Sequence, residues 1–262
     1  MVVTMDVTSG TRVLICHSIV QEFMGSTIVT LELADELRSR GASVVVYAAF
    51  VGEPAAAAFR DHGIDLLDEA ATSAAGITLD DFDLVWVNSQ VLPLPVVDSL
   101  MRSWPSRLPV FVFHHMSPLD YAPDEHPYLH GLEERLASLS TFISPATRDE
   151  LLPFFSGRPP TDLFSNPAPR AFARSPYVSS GSPERILVVS NHVTPEVEEA
   201  KALLRDKGLE VVHFGSGQDE YALVTAEVLD RFDVVVTIGK TVQYCLVAGR
   251  PVYVYDHFGG QG

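Results

Sequence analysis

The chain has 262 residues, 47% of them apolar, and a formal net charge of −16, so it can bury real hydrophobic cores and reads as globular. Such acidity argues against a nucleic-acid partner, because a phosphate backbone is held by a basic surface and this chain would mostly repel one. Only Cys16 and Cys245 are present, both in or beside apolar runs, which excludes a disulfide framework and predicts reduced thiols in a cytoplasmic protein.

No apolar run approaches the ~20 residues needed to cross a bilayer. Residues 1–11 lack the basic and apolar regions of a secretory signal, so none is expected.

Residues 12–17 (RVLICH) form a β-type run. Residues 25–40 then place Ile28, Leu31, Ala34 and Leu37 on one helical face, with Gly41 as the stop. The first amides of a helix have no internal partner and the dipole is positive there, so a helix starting at Gly25-Ser26-Thr27 can receive an anion. The alternative is that Gly25 only permits a tight turn and Ser26 or Thr27 only caps the helix. Strands are expected at residues 43–49, 64–67 and 83–88, with helices near 54–62 and 93–104. Alternating short strands and helices with short connections argue for a doubly wound parallel sheet.

Residues 109–113 are apolar enough for a central strand buried on both faces. That strand delivers His114 and His115 to its carboxyl end, where one imidazole is placed to face a ligand. The other reading has one ring hydrogen-bonded inside the domain and the other at the surface. His126 and His130, spaced i, i+4 beside Asp124 and Glu125, would put two metal ligands on one helix face, or would simply be a polar helix start; no metal site is assigned. Residues 141–144 form another strand, Pro145 opens a helix over 146–155, and residues 162–165 lead into Asn166-Pro167. The Pro, Gly and Ser content of residues 168–184 is that of a linker. The expected organisation is a domain over 1–168, a linker over 169–184, and a second domain over 185–262.

In the second half, strands are expected at 185–190, 210–214, 233–238 and 251–255, with a helix at 196–207 and a short one after Gly239. Two strands end in small polar clusters, Gly239-Lys240-Thr241 and Asp256-His257-Phe258-Gly259-Gly260, at the carboxyl ends where open α/β sheets bind ligands. Gly-Lys-Thr is not a Walker motif here, since the required glycine position is occupied by Val234.

Taken together, Gly25 with the helix Leu31-Glu32-Leu33-Ala34-Asp35-Glu36-Leu37, the strand ending in His114, the run Ile143-Ser144-Pro145-Ala146-Thr147-Arg148-Asp149-Glu150-Leu151, and Asn166-Pro167 resemble the first domain of GT-B fold glycosyltransferases of the large retaining bacterial family. The resemblance implies two Rossmann-like doubly wound parallel-sheet domains (α/β), the first on the acceptor side. It further implies metal-independent transfer of a sugar from a nucleotide-sugar, with UDP as the nucleotide, to a hydroxyl acceptor in bacterial glycan synthesis, with no cofactor beyond that co-substrate. Gly25 and Ser26 would approach the donor diphosphate, and His114, or His115 one register along, would face the sugar. The second domain departs from the pattern. Ser190-Asn191-His192 stands where the family places cations for the leaving diphosphate, and Lys240, Thr241 and Gln243 stand where it places two glutamates.

The closing stretch looks more like a distinct bacterial GT-B group with Gly-Lys-Thr-Val-Gln-Tyr followed by Tyr-Asp-His-Phe-Gly-Gly. The implied donor-binding set is therefore Gly25, Ser26, Asn191, His192, Gly239, Lys240, Thr241, Gln243, His257, Gly259 and Gly260, with His114 and Asp256 as catalytic candidates on the two sides of a cleft. Two rivals remain, a non-catalytic GT-B-like partner subunit and a sugar-nucleotide epimerase of the same fold. Only four strands are expected after residue 185, so the second domain is expected to be incomplete and the chain to be part of a longer protein. A homo- or hetero-oligomer is compatible with the sequence.

Overall fold

The computed structural model describes residues 6–88, 90–102, 107–118, 126–157, 159–173 and 181–255. The chain forms two compact units, Met1–Asn166 and Pro167–Gly262. In the first, β1 (Arg12–Val20), β2 (Ser43–Val51), β3 (Asp65–Leu67), β4 (Leu84–Asn88), β5 (Val110–His115), β6 (Leu139–Phe142) and β7 (Thr161–Leu163) make one sheet in the order β3-β2-β1-β4-β5-β6-β7. Every neighbouring pair is parallel. The connections carry α1 (Gly25–Ser39), α2 (Ala55–Asp61), α3 (Glu69–Ala75), α4 (Leu94–Arg102), α5 (His130–Leu136) and α6 (Pro145–Leu151). Central strands of such a sheet are covered on both faces, which is why β1 is buried at nearly every position and has the apolar run Val13-Leu14-Ile15-Cys16 at its centre. Leu14, Cys16, Val85, Val87, Phe111 and Phe113 form its core.

The second unit has a four-stranded parallel sheet of β8 (Arg185–Val189), β9 (Glu210–Phe214), β10 (Val234–Thr237) and β11 (Val252–Val254), in the order β11-β10-β8-β9. Its helices are α7 (Pro195–Asp206), α8 (Ala226–Leu229) and α9 (Lys240–Ala248). Ile186, Val188 and Val211 form a core under Val197 and Leu204 of α7. Both units are thus doubly wound α/β sheets.

Several elements differ from the sequence expectation. β1 runs to Val20 and β5 to His115, so both histidines lie within the strand rather than after it. On α1 it is Thr27 and Thr30 that turn inward with Leu31, Ala34 and Leu37. α3 and α8 are additional to the expected helices. The signals for α3 are nonetheless present: Asp68 caps its start by accepting from the Ala71 amide, and Gly76 ends it with φ 63°. His126 precedes α5, which begins only at His130, so the two histidines do not share a helical face as a metal pair would require. Among the described residues no three His, Cys, Asp or Glu are grouped to hold a metal ion, and none of the described helices is long and apolar enough to cross a membrane.

Candidate functional site

An open parallel sheet opens a crevice where its strand order reverses, because the two connections leaving the carboxyl ends there run to opposite sides. In the first unit this point lies between β1 and β4, and in the second between β8 and β10. Every described candidate except His114 and its alternative His115 sits beside one of these two points.

At the first reversal, β1 leads through a short loop to α1. Gly25 is exposed, Ser26 is half-buried, no side chain caps the helix, and a Cβ on Gly25 would meet nothing within 4 Å. The start of α1 is tied to the end of β4. Asn88, fully buried, donates from Nδ2 to Thr30 Oγ1 (2.9 Å) and accepts from Trp86 Nε1 (2.9 Å), while Thr30 Oγ1 donates to the Ser26 carbonyl (2.9 Å). Neither Asn88 nor Thr30 is among the candidates read from the sequence, where the only signal for Asn88 is a polar residue closing an apolar strand.

The two histidines of β5 point to opposite faces, as strand periodicity requires. His114 is 1% exposed. Its Nδ1 lies 2.9 Å from Thr141 Oγ1 and its Nε2 2.8 Å from Asn166 Oδ1, with Trp86 and Phe164 rings at 5.6 Å and 5.3 Å. A carboxamide oxygen only accepts, so with Asn166 in this orientation the proton sits on Nε2 and Nδ1 accepts from the Thr141 hydroxyl. Burial pushes the His114 pKa down to about 4, against the opposing bond to Asn166, so the ring is neutral near pH 7. His115 stacks flat on Phe142 (5.0 Å, 17°) and donates from Nε2 to Glu133 Oε1 at 3.0 Å. Fully buried Glu133 also accepts from Ser140 Oγ (2.6 Å) and from Gln90 Nε2, and Gln90 Oε1 accepts from the Leu129 amide (2.8 Å). Neither imidazole presents a nitrogen to solvent in the manner expected of a group facing a substrate.

The second reversal is different. β10 ends at Thr237, whose hydroxyl donates to the Val189 carbonyl of β8 (2.9 Å), and Gly239 then turns the chain into α9 with φ 70° and ψ −132°. That backbone conformation disfavours a side chain on strain alone, although the space beyond Gly239 is open. No side chain caps α9 and no acidic residue sits in its first turn, and the helix start carries the positive end of its dipole. Lys240 is half-buried; its Nζ donates to the Pro167 carbonyl (2.9 Å) and lies 5.5 Å from the Tyr244 ring, whose face is stacked by Phe172 at 4.0 Å. Thr241 is buried and Gln243 half-buried. Across the reversal, the loop after β8 holds His192 exposed and Asn191 half-buried, with Asn191 Oδ1 accepting from the Ser216 amide (3.0 Å). The His192 amide donates to Ser190 Oγ (3.0 Å), and the His192 carbonyl accepts from Tyr255 Oη (3.0 Å). Asp256, His257, Gly259 and Gly260 lie outside the described residues.

This pair of sheets has known counterparts among solved structures. The chain aligns over 93% of its length with 80% of the Anabaena protein HepE in complex with UDP-glucose, at TM-score 0.59 and 15% identity. It aligns over 94% with 80% of an alpha-glucosyltransferase in complex with UDP and a DNA containing an HMU base, at TM-score 0.64 and 12% identity. The fold is GT-B. A Listeria monocytogenes protein assigned as a UDP-N-acetylglucosamine 2-epimerase shares it at TM-score 0.54 and 13% identity, over 94% of this chain and 79% of that one. No family model matches the sequence, and no curated protein does. The β8 loop with the start of α9 is thus one candidate cluster, in the second unit, and Gly25 with Ser26 at the start of α1 is another, in the first.

One further group has no counterpart among the candidates read from the sequence. Lys201 and His213 form a buried pair behind the β8 loop. A signal for it exists: Val197, Lys201 and Leu204 follow at i, i+4 and i+7, so a lysine lies on the apolar stripe of α7.

Proposed function

We propose that this protein is a glycosyltransferase that takes a sugar from a nucleoside-diphosphate sugar, UDP-linked, and passes it to a hydroxyl acceptor. The observation that carries the reading is the β8–β10 reversal, where an uncapped helix start at an open glycine, a neighbouring lysine and an exposed histidine stand together. The GT-B neighbours that hold UDP or UDP-glucose support it. The first amides of α9 donate to the diphosphate, and Lys240 exchanges the Pro167 carbonyl for a phosphate oxygen. Asn191 and His192 close the other side, and Thr241 and Gln243 line the nucleoside side; in the first unit, Gly25 with Ser26 is a separate candidate for donor binding. His257, Gly259 and Gly260 complete the donor set in this reading.

As the glycosidic bond to the diphosphate breaks, charge develops on the leaving group and on the sugar ring. Fixed donors aimed at the phosphate lower that barrier without reorganising, which is the task a metal would otherwise share. Turnover is therefore expected to survive EDTA. His114 enters this reading as a neutral, fully bonded residue that shapes the carboxyl end of β5, not as the group that exchanges a proton with substrate. Asp256 is the remaining candidate for that exchange, and Asp256→Asn is expected to abolish turnover while leaving UDP affinity within a few-fold. Two reduced, buried cysteines fit cytoplasmic work.

Titration calorimetry with UDP, UDP-glucose and UDP-N-acetylglucosamine, followed by assays of donor hydrolysis, tests the proposal; absence of binding to all three removes it. The sealed environment of His114 favours one second reading, a GT-B subunit that binds the nucleotide without catalysis, and binding with no hydrolysis over days would select it. Formation of an epimeric sugar without acceptor would select the epimerase instead.

A further inference from the structure

Lys201 is buried in α7, and its ammonium donates to Glu198 Oε1 (2.8 Å), His213 Nδ1 (2.9 Å) and Gln218 Oε1 (3.4 Å). An ammonium can only donate, so the imidazole it meets must accept at Nδ1 and carry its proton on Nε2. That Nε2–H points at the Ser190 carbonyl, 3.0 Å away. Ser190 is the first residue beyond β8 and begins the loop that bears Asn191 and His192. Its amide donates to the Phe214 carbonyl (3.0 Å), and its hydroxyl closes on the His192 backbone, donating to the carbonyl at 2.6 Å. Gly215 approaches from the neighbouring strand so closely that a Cβ there would lie 2.0 Å from the Ser190 oxygen. The carbonyl thus sits in a gap only wide enough for a glycine, with His213 as its side-chain donor.

We infer that Lys201 and His213 are a positioning pair for the donor site: Lys201 fixes the tautomer of His213, and His213 holds the Ser190 carbonyl so that the loop presents Asn191 and His192 in one conformation. What the loop binds rests on the reading proposed above; the ordering of the loop does not. The charged groups facing His213 are Lys201 and Glu198 from α7 and Asp219 from the turn after β9, whose carboxylate accepts from the His213 amide (2.9 Å). Burial, then Lys201, pushes the imidazole pKa down, while the Ser190 bond, Glu198 and Asp219 oppose. The ring therefore stays neutral near pH 7. Protonation would remove the acceptor at Nδ1 and set two cations side by side.

Two double variants test the pair without stranding a buried charge. Lys201→Met with His213→Leu removes both partners, whereas Lys201→Met with His213→Gln keeps an N–H directed at Ser190. Amide hydrogen exchange at Asn191 and His192 and titration with UDP are measured on each. In the Leu variant exchange is expected to rise, and UDP affinity to fall, by roughly tenfold, the worth of one buried hydrogen bond. The Gln variant is expected to return both to within about threefold of the native protein. Native exchange and affinity in the Leu variant overturn the inference, as does an equal rise in both variants, which would mean that His213 only fills space. If the native protein binds no UDP, the donor reading fails, and the exchange comparison still decides whether the pair orders the loop.

Discussion

The carboxyl end of β5 and that of β10 carry the same kind of sequence, an apolar strand running into polar residues, yet the fold uses them in opposite ways. At β5 the polar residues turn inward: His114 and His115 are buried, and both His114 nitrogens are bonded to protein. At β10 the chain turns outward at Gly239 and offers an uncapped helix start beside Lys240. The difference comes from the surroundings of each strand end. Both strands are flanked on each side, but the buried histidines of β5 meet partners from distant segments, Asn166 for one and Glu133 for the other. β10 passes at once into α9, whose start has no side-chain cap and carries the positive end of the helix dipole. The contrast is one of burial: the β5 histidines are sealed, whereas Gly239 is exposed and Lys240, although it donates to the Pro167 carbonyl, is only half-buried.

The largest test of this contrast is His114→Ala. It deletes a buried ring and leaves Thr141 and Asn166 facing a void, a loss of about 3 kcal/mol of stability, with UDP affinity of the folded protein unchanged. A native melting temperature combined with a hundredfold drop in turnover would break the contrast and return His114 to the chemistry. Next in size is the pH dependence. His114 is held at about 4, below its unfolded value of 6.5, so the unfolded chain takes up the proton first and stability is complete above pH 6.5. It falls as pH drops toward 4, by about 1.5 kcal/mol between pH 6.5 and 5. Denaturant melts should show that slope flattened in His114→Gln, with a smaller slope of the same sign left by His213, which is also held low. An unchanged slope would mean that the ring is not held neutral.

Much of the architecture was legible because parallel strands and crossover helices announce themselves through unbroken apolar runs and through period-3.6 stripes; β9 agrees with its expectation to the residue. The candidate donor cluster was legible for a related reason. Gly239 needs a positive φ, and a small polar run after an apolar strand is a local pattern. The environment of His114 was not legible, since it depends on Asn166, 52 residues away, and on two aromatic rings, Trp86 of β4 and Phe164 just past β7. Lys201 stands between these cases: its place on an apolar stripe was visible, but its partner His213 lies on another element.

Two substitutions sharpen the second half of the contrast. Gly239→Ala introduces a Cβ where there is space but the backbone disfavours it, so a cost of about 1 kcal/mol or more falls on the turn itself. The start of α9 shifts in response, and UDP affinity is expected to fall about tenfold with a small loss of melting temperature. Affinity at the native level would mean that the diphosphate does not use this helix start.

Lys240→Ala is expected to have the smallest effect. The ammonium already donates to the Pro167 carbonyl and lies near the Tyr244 ring, so binding a phosphate exchanges one set of interactions for another instead of creating a contact from nothing. A half-buried cation that must first leave a carbonyl contributes on the order of 1 kcal/mol to anion binding, a fewfold change in affinity. Salt separates this from a merely structural role. If Lys240 meets the diphosphate, native affinity for UDP falls with ionic strength more steeply than affinity of the variant, because one charge pair has been removed from the complex. Equal salt slopes in the two proteins would assign Lys240 to holding residues 167–172 against α9, leaving the amides of the helix start as the diphosphate's main donors.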